Sequence, residues 1–263
     1  MRAYFAFAAC AFARSGAYRI NTLLRIVTNL ANISIQTSIW RTLLSHGAVA
    51  GVDLHQMVTY SIISTCITMI LLHGSTINTA DRRLNSGDIA VDLIKPFQYS
   101  LYLAADAFGV AVFQAVYAMT PTLLAAAALF GLRAPDSVVD LLAFVVAIAT
   151  ALAISFALGY IIALLGFWFL ATMHFEWSIG AFMILFSGQF LPIWFFPSWL
   201  AAIAAWLPFR YMNFVPVAIY LGQIPVSELG RTLCIGVGWG LSLLLIARSL
   251  WMHSIKRLVV QGG

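Results

Sequence analysis

The sequence predicts an all-α, polytopic membrane protein, and three observations predict it. First, 62% of the 263 residues are hydrophobic and only 9% are charged. A water-soluble domain carries about 25% charged residues, so this chain has too few to cover a surface that faces water. Second, the apolar residues come in runs long enough to cross a hydrocarbon core about 30 Å thick; at roughly 20 residues per span the chain accommodates about six. Third, the basic residues are unevenly shared. Arg2, Arg14, Arg19, Arg25, Arg82, Arg83, Lys95, Arg248, Lys256 and Arg257 fall on one side of the expected spans, against Arg41, Arg133, Arg210 and Arg231 on the other. Basic residues are retained on the cytoplasmic side, which predicts both termini in the cytoplasm. The net charge of +5 follows from that asymmetry and does not call for nucleic acid. Residues 1–263 then form a single membrane domain.

Each element follows in order. Residues 1–20 read as an interfacial helix lying on the cytoplasmic leaflet. The apolar run Met1–Ala13 also resembles the core of a signal peptide, but Arg14, Arg19 and Arg25 oppose translocation. The first span runs from Arg25 to Arg41, about 24 Å at 1.5 Å per residue. Arg25, Asn29, Asn32 and Gln36 recur at helical spacing and form one polar stripe, which must face protein or water. Two readings stand: interhelical hydrogen bonds that hold the bundle, or a translocation path or dimer seam.

The second span covers Met57–Ile77, with a milder hydroxyl stripe at Ser61, Thr65 and Thr68. Residues 79–99 carry the densest charge. Asn85-Ser86-Gly87-Asp88 is a turn or cap signal and Lys95-Pro96 a helix stop, so a short amphipathic helix between two spans is expected. The third span lies within Leu101–Leu132. Asp106, near its cytoplasmic end, is at similar depth to Arg25 and is expected to pair with it. Val138–Leu170 is too long for one upright span and predicts a tilted fourth helix, with Gly159 and Gly166 allowing bends. Thr172–Trp177 reads as a tight cytoplasmic turn, and the fifth span starts near Trp177. In residues 192–225, Pro192, Pro197, Pro208 and Pro216 divide an aromatic stretch too often for one helix. Two short re-entrant helices on the outer side, Ser198–Leu207 and Tyr211–Leu221, are expected, shielded by protein. The last span is Leu233–Trp251, where Gly236 and Gly240 give a close-packing spacing.

The chemistry absent from the sequence is informative. Neither lysine sits in a GxxxxGK[ST] context, so the chain has no phosphate-binding loop of that type. No HExxH, CxxC or GxSxG is present, and Cys10, Cys66 and Cys234 read as small hydrophobes. No catalytic, cofactor-binding or metal-binding residue is expected.

Three stretches together carry a resemblance: AYRINTLLRI…SIWRTLL within Met1–Leu44, RLNSGDIAVDLIKPF ending at Phe97, and LPIWFFPSWLAAIAAWLPFRYMNFVPVAIYLG within Gly188–Gly222. In order and over nearly the whole chain, they resemble the permease subunits of ABC-type-2 exporters, in a branch long catalogued as an uncharacterised family. The resemblance implies six spans, an N-terminal interfacial helix, a cytoplasmic coupling helix and an outer re-entrant hairpin. It places ATPase coupling on Arg83, Leu84, Ser86, Gly87, Asp88, Asp92, Leu93, Lys95 and Pro96. It implies two copies of a separate P-loop ATPase that bind ATP and magnesium, a second permease chain, identical or similar, and a bacterial inner membrane. The expected function is ATP-driven export of an organic or amphipathic substrate. A membrane-embedded transferase, and a permease-like sensor without transport, are the alternatives.

Overall fold

The computed structural model describes residues 2–17, 19–45, 52–86, 92, 94–95, 97–166 and 172–261. These residues are helical apart from turns and short connections. The helices are α1 (Arg2–Ser15), α2 (Arg19–Leu44), α3 (Leu54–Ile70), α4 (His73–Asn85), α5 (Tyr99–Gln114), α6 (Thr120–Phe130), α7 (Val138–Leu165), α8 (Thr172–Phe186), α9 (Ser198–Trp206), α10 (Phe214–Tyr220) and α11 (Val226–Gln261). Four stretches are long and apolar enough to cross a membrane: Leu54–Arg83, Tyr99–Phe130, Val138–Leu165 and Val226–His253. The first expected span lies inside α2, which is about 39 Å long at 1.5 Å per residue. Its arginines and polar stripe make it less apolar than those four. The apolar part of α8 is short, Trp177–Phe186.

Local chemistry explains where the helices begin and bend. Asp53 and Gln56 form a reciprocal capping box at the start of α3, which satisfies two backbone donors that have no partner in the helix. The Ser137 hydroxyl accepts from the Asp140 N–H at 3.1 Å and donates to the Asp140 carboxylate at 2.7 Å, capping α7. α5 passes into α6 through a π-helical turn, Ala115–Met119. Pro121 is the second residue of α6. Its ring has no N–H and would collide with the carbonyl four residues back in a regular helix, and the wider turn relieves both problems. Gly131, at φ 82°, ends α6.

Three expected elements are corrected. The second span is not one helix over Met57–Ile77. It breaks at Leu71, whose backbone is extended, and resumes as α4. The break is sustained by α7: the Ser155 hydroxyl accepts from the Leu72 and His73 N–H groups at 2.9 and 3.0 Å. Gly159 does not bend α7, which runs unbroken to Leu165. It lets the backbone of His73 approach, since a Cβ there would lie 2.6 Å from His73 Cα. Gly166 caps the helix, and the remainder of the expected fourth span, 167–170, lies outside the described residues. Thr172–Trp177 is the beginning of α8 and not a turn. No proline or glycine lies between Thr172 and Trp177 to stop the helix from extending back.

The proline-rich segment divides as the prolines dictate. Pro192 precedes a 3₁₀ turn (Ile193–Phe195), Pro197 precedes α9, Pro208 opens a second 3₁₀ turn (Pro208–Met212), and Pro216 sits in the first turn of α10. The segment folds back on α3 through polar groups. Tyr60 donates to the Gly188 carbonyl, and Ser64 to that of Gln189 at 3.1 Å. The Asn213 amide donates to the Ser64 carbonyl at 3.1 Å and to the Thr68 hydroxyl at 3.0 Å. The hydroxyl face of the second span therefore bonds helices together. Gly236 of α11 faces Tyr211 and Thr150, and Gly240 faces Ala153 and Ile154. The glycine spacing seats α11 against α7.

Candidate functional site

At one end of the bundle a chain of polar contacts ties α1, α4 and α5 together. α1 lies along α5 closely enough that a Cβ at Gly109 would stand 2.1 Å from the Ala8 carbonyl oxygen. Phe7 packs on Tyr102 and Phe97 with ring centres 5.0 and 5.5 Å apart. This packing brings Arg14 to Asp106, which it grips with one nitrogen at 2.9 and 3.0 Å from the two carboxylate oxygens. Thr79 of α4 donates to the same carboxylate at 3.0 Å. Asp106 is 2% exposed, so this ion pair supplies what burial demands. The expected Arg25–Asp106 pair is thereby overturned. Arg25 instead lies beside Ser15, Phe113 and Gln114, about two helical turns farther along α5.

A second carboxylate, beyond the end of α4, gathers two cations. Asp92, also 2% exposed, is met by Arg83 at 3.3 Å and by Lys95 at 2.9 Å. Arg83 also donates to the Tyr102 hydroxyl at 3.0 Å, joining these residues to α5 and, through Phe7, to α1. Three of the residues expected to couple, Arg83, Asp92 and Lys95, are thus brought together. Ser86 is exposed and ends α4 by donating to the Arg83 carbonyl at 3.4 Å. Leu84 lies in α4, and its side chain is outside the described residues, as are Gly87, Asp88, Leu93 and Pro96. The expected short amphipathic helix falls largely on them; Asp81–Asn85 belongs instead to α4.

The structure adds residues that sequence reasoning missed. Arg14, Arg82 and Arg83 line one cleft of about 410 Å³ together with Thr79, Ser86 and Tyr102. Next to Lys95, the side chain of Ile94 is 86% exposed. Spacing within the chain gives no signal for Arg14, because its partner is 92 residues away.

The polar stripe of α2 is graded. Arg25 is exposed, Asn29 and Asn32 are half-buried, and Gln36 is buried. Gln36 donates to Asn32 at 3.4 Å. One turn on, buried Trp40 donates to Ser61 of α3 at 3.2 Å. The inner part of this face therefore bonds to α3, while Arg25, Asn29 and Asn32 border a more open side flanked by exposed Leu24 and Val27.

The four long apolar stretches are those of a multi-pass membrane protein. The family model for ABC-2 family transporter proteins matches residues 30–262. The chain belongs to that family: it is a multi-pass membrane permease, a transport component that is not itself catalytic, of a kind that pairs with an ATPase subunit. No curated protein and no solved structure shows a significant match to it.

Proposed function

We propose that this chain is the translocating subunit of an ATP-driven exporter and that it engages its ATPase through α4 and residues 92–97. The observation that carries this reading is the Arg83–Asp92–Lys95 cluster, which ties Asp92 and Lys95 to the end of a membrane-crossing helix, with exposed Ile94 next to Lys95 in the chain. A docking partner needs a rigid knob, and acidic side chains of an ATPase would complement Arg14, Arg82 and Arg83.

In this reading α2 and α8 complete six spans, and both termini lie in the cytoplasm of a bacterial inner membrane. α1 lies in the interface of the cytoplasmic leaflet, and residues 192–225 re-enter from the outer side. Two ATPase copies, which bind ATP and magnesium, act on two permease chains, identical or similar. Movement of the α4 loop passes through the Leu71 break and the Ser155 contact to the outer half. The open part of the α2 stripe borders the path or the dimer seam, and the cargo is an organic or amphipathic molecule.

The test is ATP hydrolysis and transport by the reconstituted complex. Asp92→Ala frees Arg83 and Lys95 and should abolish substrate-stimulated hydrolysis while the chain still inserts in the membrane. Unchanged stimulation would remove the coupling assignment.

A further inference from the structure

Behind the Asp92 loop, a cleft of about 590 Å³ opens between the start of α5, the end of α7 and the distal half of α11. Its interior holds two donors without acceptors. Tyr99 and Tyr160 are each 3% exposed, and among the described residues neither hydroxyl has a hydrogen-bond partner. A buried hydroxyl left unpaired is costly, about 1–3 kcal/mol, and such groups call for an explanation in an unidentified partner. Their rings are fixed. Tyr99 stacks on Trp251 with centres 5.2 Å apart, and Tyr160 meets the same indole at 6.2 Å.

The cleft is lined by charges of both signs, Asp92 and Arg248. Its one carboxylate, Asp92, is already held by Arg83 and Lys95. Arg248 at the lip is exposed and makes no ion pair among the described residues. Arg83 and Lys95 offset the Asp92 charge, so the Arg248 guanidinium and the two hydroxyls are the donors left to meet a ligand in the cleft. One flank is apolar and open sideways: Leu101 and Met252 are 46% and 52% exposed, on helices whose outer faces meet lipid.

We propose that this cleft binds the phosphate headgroup of an anionic membrane phospholipid. The Tyr99 and Tyr160 hydroxyls and the Arg248 guanidinium donate to the phosphate oxygens, and the acyl chains lie along Leu101 and Met252. Basic pockets between spanning helices are suited to such headgroups. Binding itself requires only that the chain sits in a membrane and does not depend on the ATPase reading.

The experiment is native mass spectrometry of the delipidated full chain titrated with phosphatidylglycerol or phosphatidylcholine. The wild type should retain phosphatidylglycerol preferentially. That preference should fall about tenfold in Arg248→Ala, the effect of losing one charge-assisted hydrogen bond, and by more than about tenfold in a Tyr99→Phe/Tyr160→Phe variant, which keeps the rings and loses two. Thermal unfolding checks that both variants remain folded. Equal retention by wild type and variants would mean non-specific lipid contact and overturn the proposal. Displacement of phosphatidylglycerol by millimolar inorganic phosphate would reassign the cleft to a free anion. Quenching of Trp251 fluorescence by a tetraalkylammonium ion in competition with the lipid would reassign it to a cation.

Discussion

Replacing Arg14 with Ala removes the one cation that pairs, among the described residues, with a carboxylate that is 2% exposed. Asp106 would keep just the Thr79 hydroxyl, at 3.0 Å. Breaking a fully buried ion pair costs about 3–5 kcal/mol. The Arg14 side chain is 44% exposed, so water screens the pair, and the expected loss is nearer ~2 kcal/mol. Asp106→Asn on the Arg14→Ala background removes the stranded charge and still accepts from Thr79. The double variant should therefore recover about 1 kcal/mol relative to Arg14→Ala alone. Arg25→Ala is the control: it leaves Asp106 untouched and should stay within about 0.5 kcal/mol of wild type. The assay is equilibrium unfolding of the purified chain in detergent, with limited proteolysis after α1 as a local readout. Strictly additive variants, or an Arg25→Ala effect as large as that of Arg14→Ala, would refute the argument.

Two further outcomes follow from close contacts elsewhere. Gly159→Val places a side chain where a Cβ alone would lie 2.6 Å from His73 Cα and 2.7 Å from its carbonyl oxygen. Because the obstacle is backbone, the α4 start must shift, and the yield of folded protein should fall sharply; a normal yield would show that the break at Leu71 is free to move. Asn32→Leu and Gln36→Leu remove a bond that at 3.4 Å is weak, worth less than about 0.5 kcal/mol. They should change transport more than thermal stability, and a loss confined to stability would make the stripe structural.

The hydropathy runs made the long helices legible, and the prolines marked where residues 192–225 divide, because proline acts on its own backbone. The Gly236 and Gly240 spacing likewise announced close packing. What stayed hidden depends on distant parts of the chain. At the Leu71 break the Leu72 N–H is satisfied by Ser155, 83 residues away, a partner that nothing local in the chain announces. Asp106 was recognisable as a carboxylate needing a cation, but depth in the membrane named Arg25, while the path of α1 over Gly109 delivers Arg14. Within the candidate site, the resemblance named Arg83, Asp92 and Lys95 but not the ion pairs that join them, and Ile94 read as one more apolar residue.

The most direct measurement of the central claim is cross-linking in native membranes. A photo-cross-linking amino acid is placed at Ile94, which is 86% exposed at the network end of the bundle, or at Trp206, which is 82% exposed at the end of α9. The account predicts an adduct with a P-loop ATPase from position 94 and none from position 206. No ATPase adduct from position 94, in membranes where other transporter complexes cross-link normally, would contradict it.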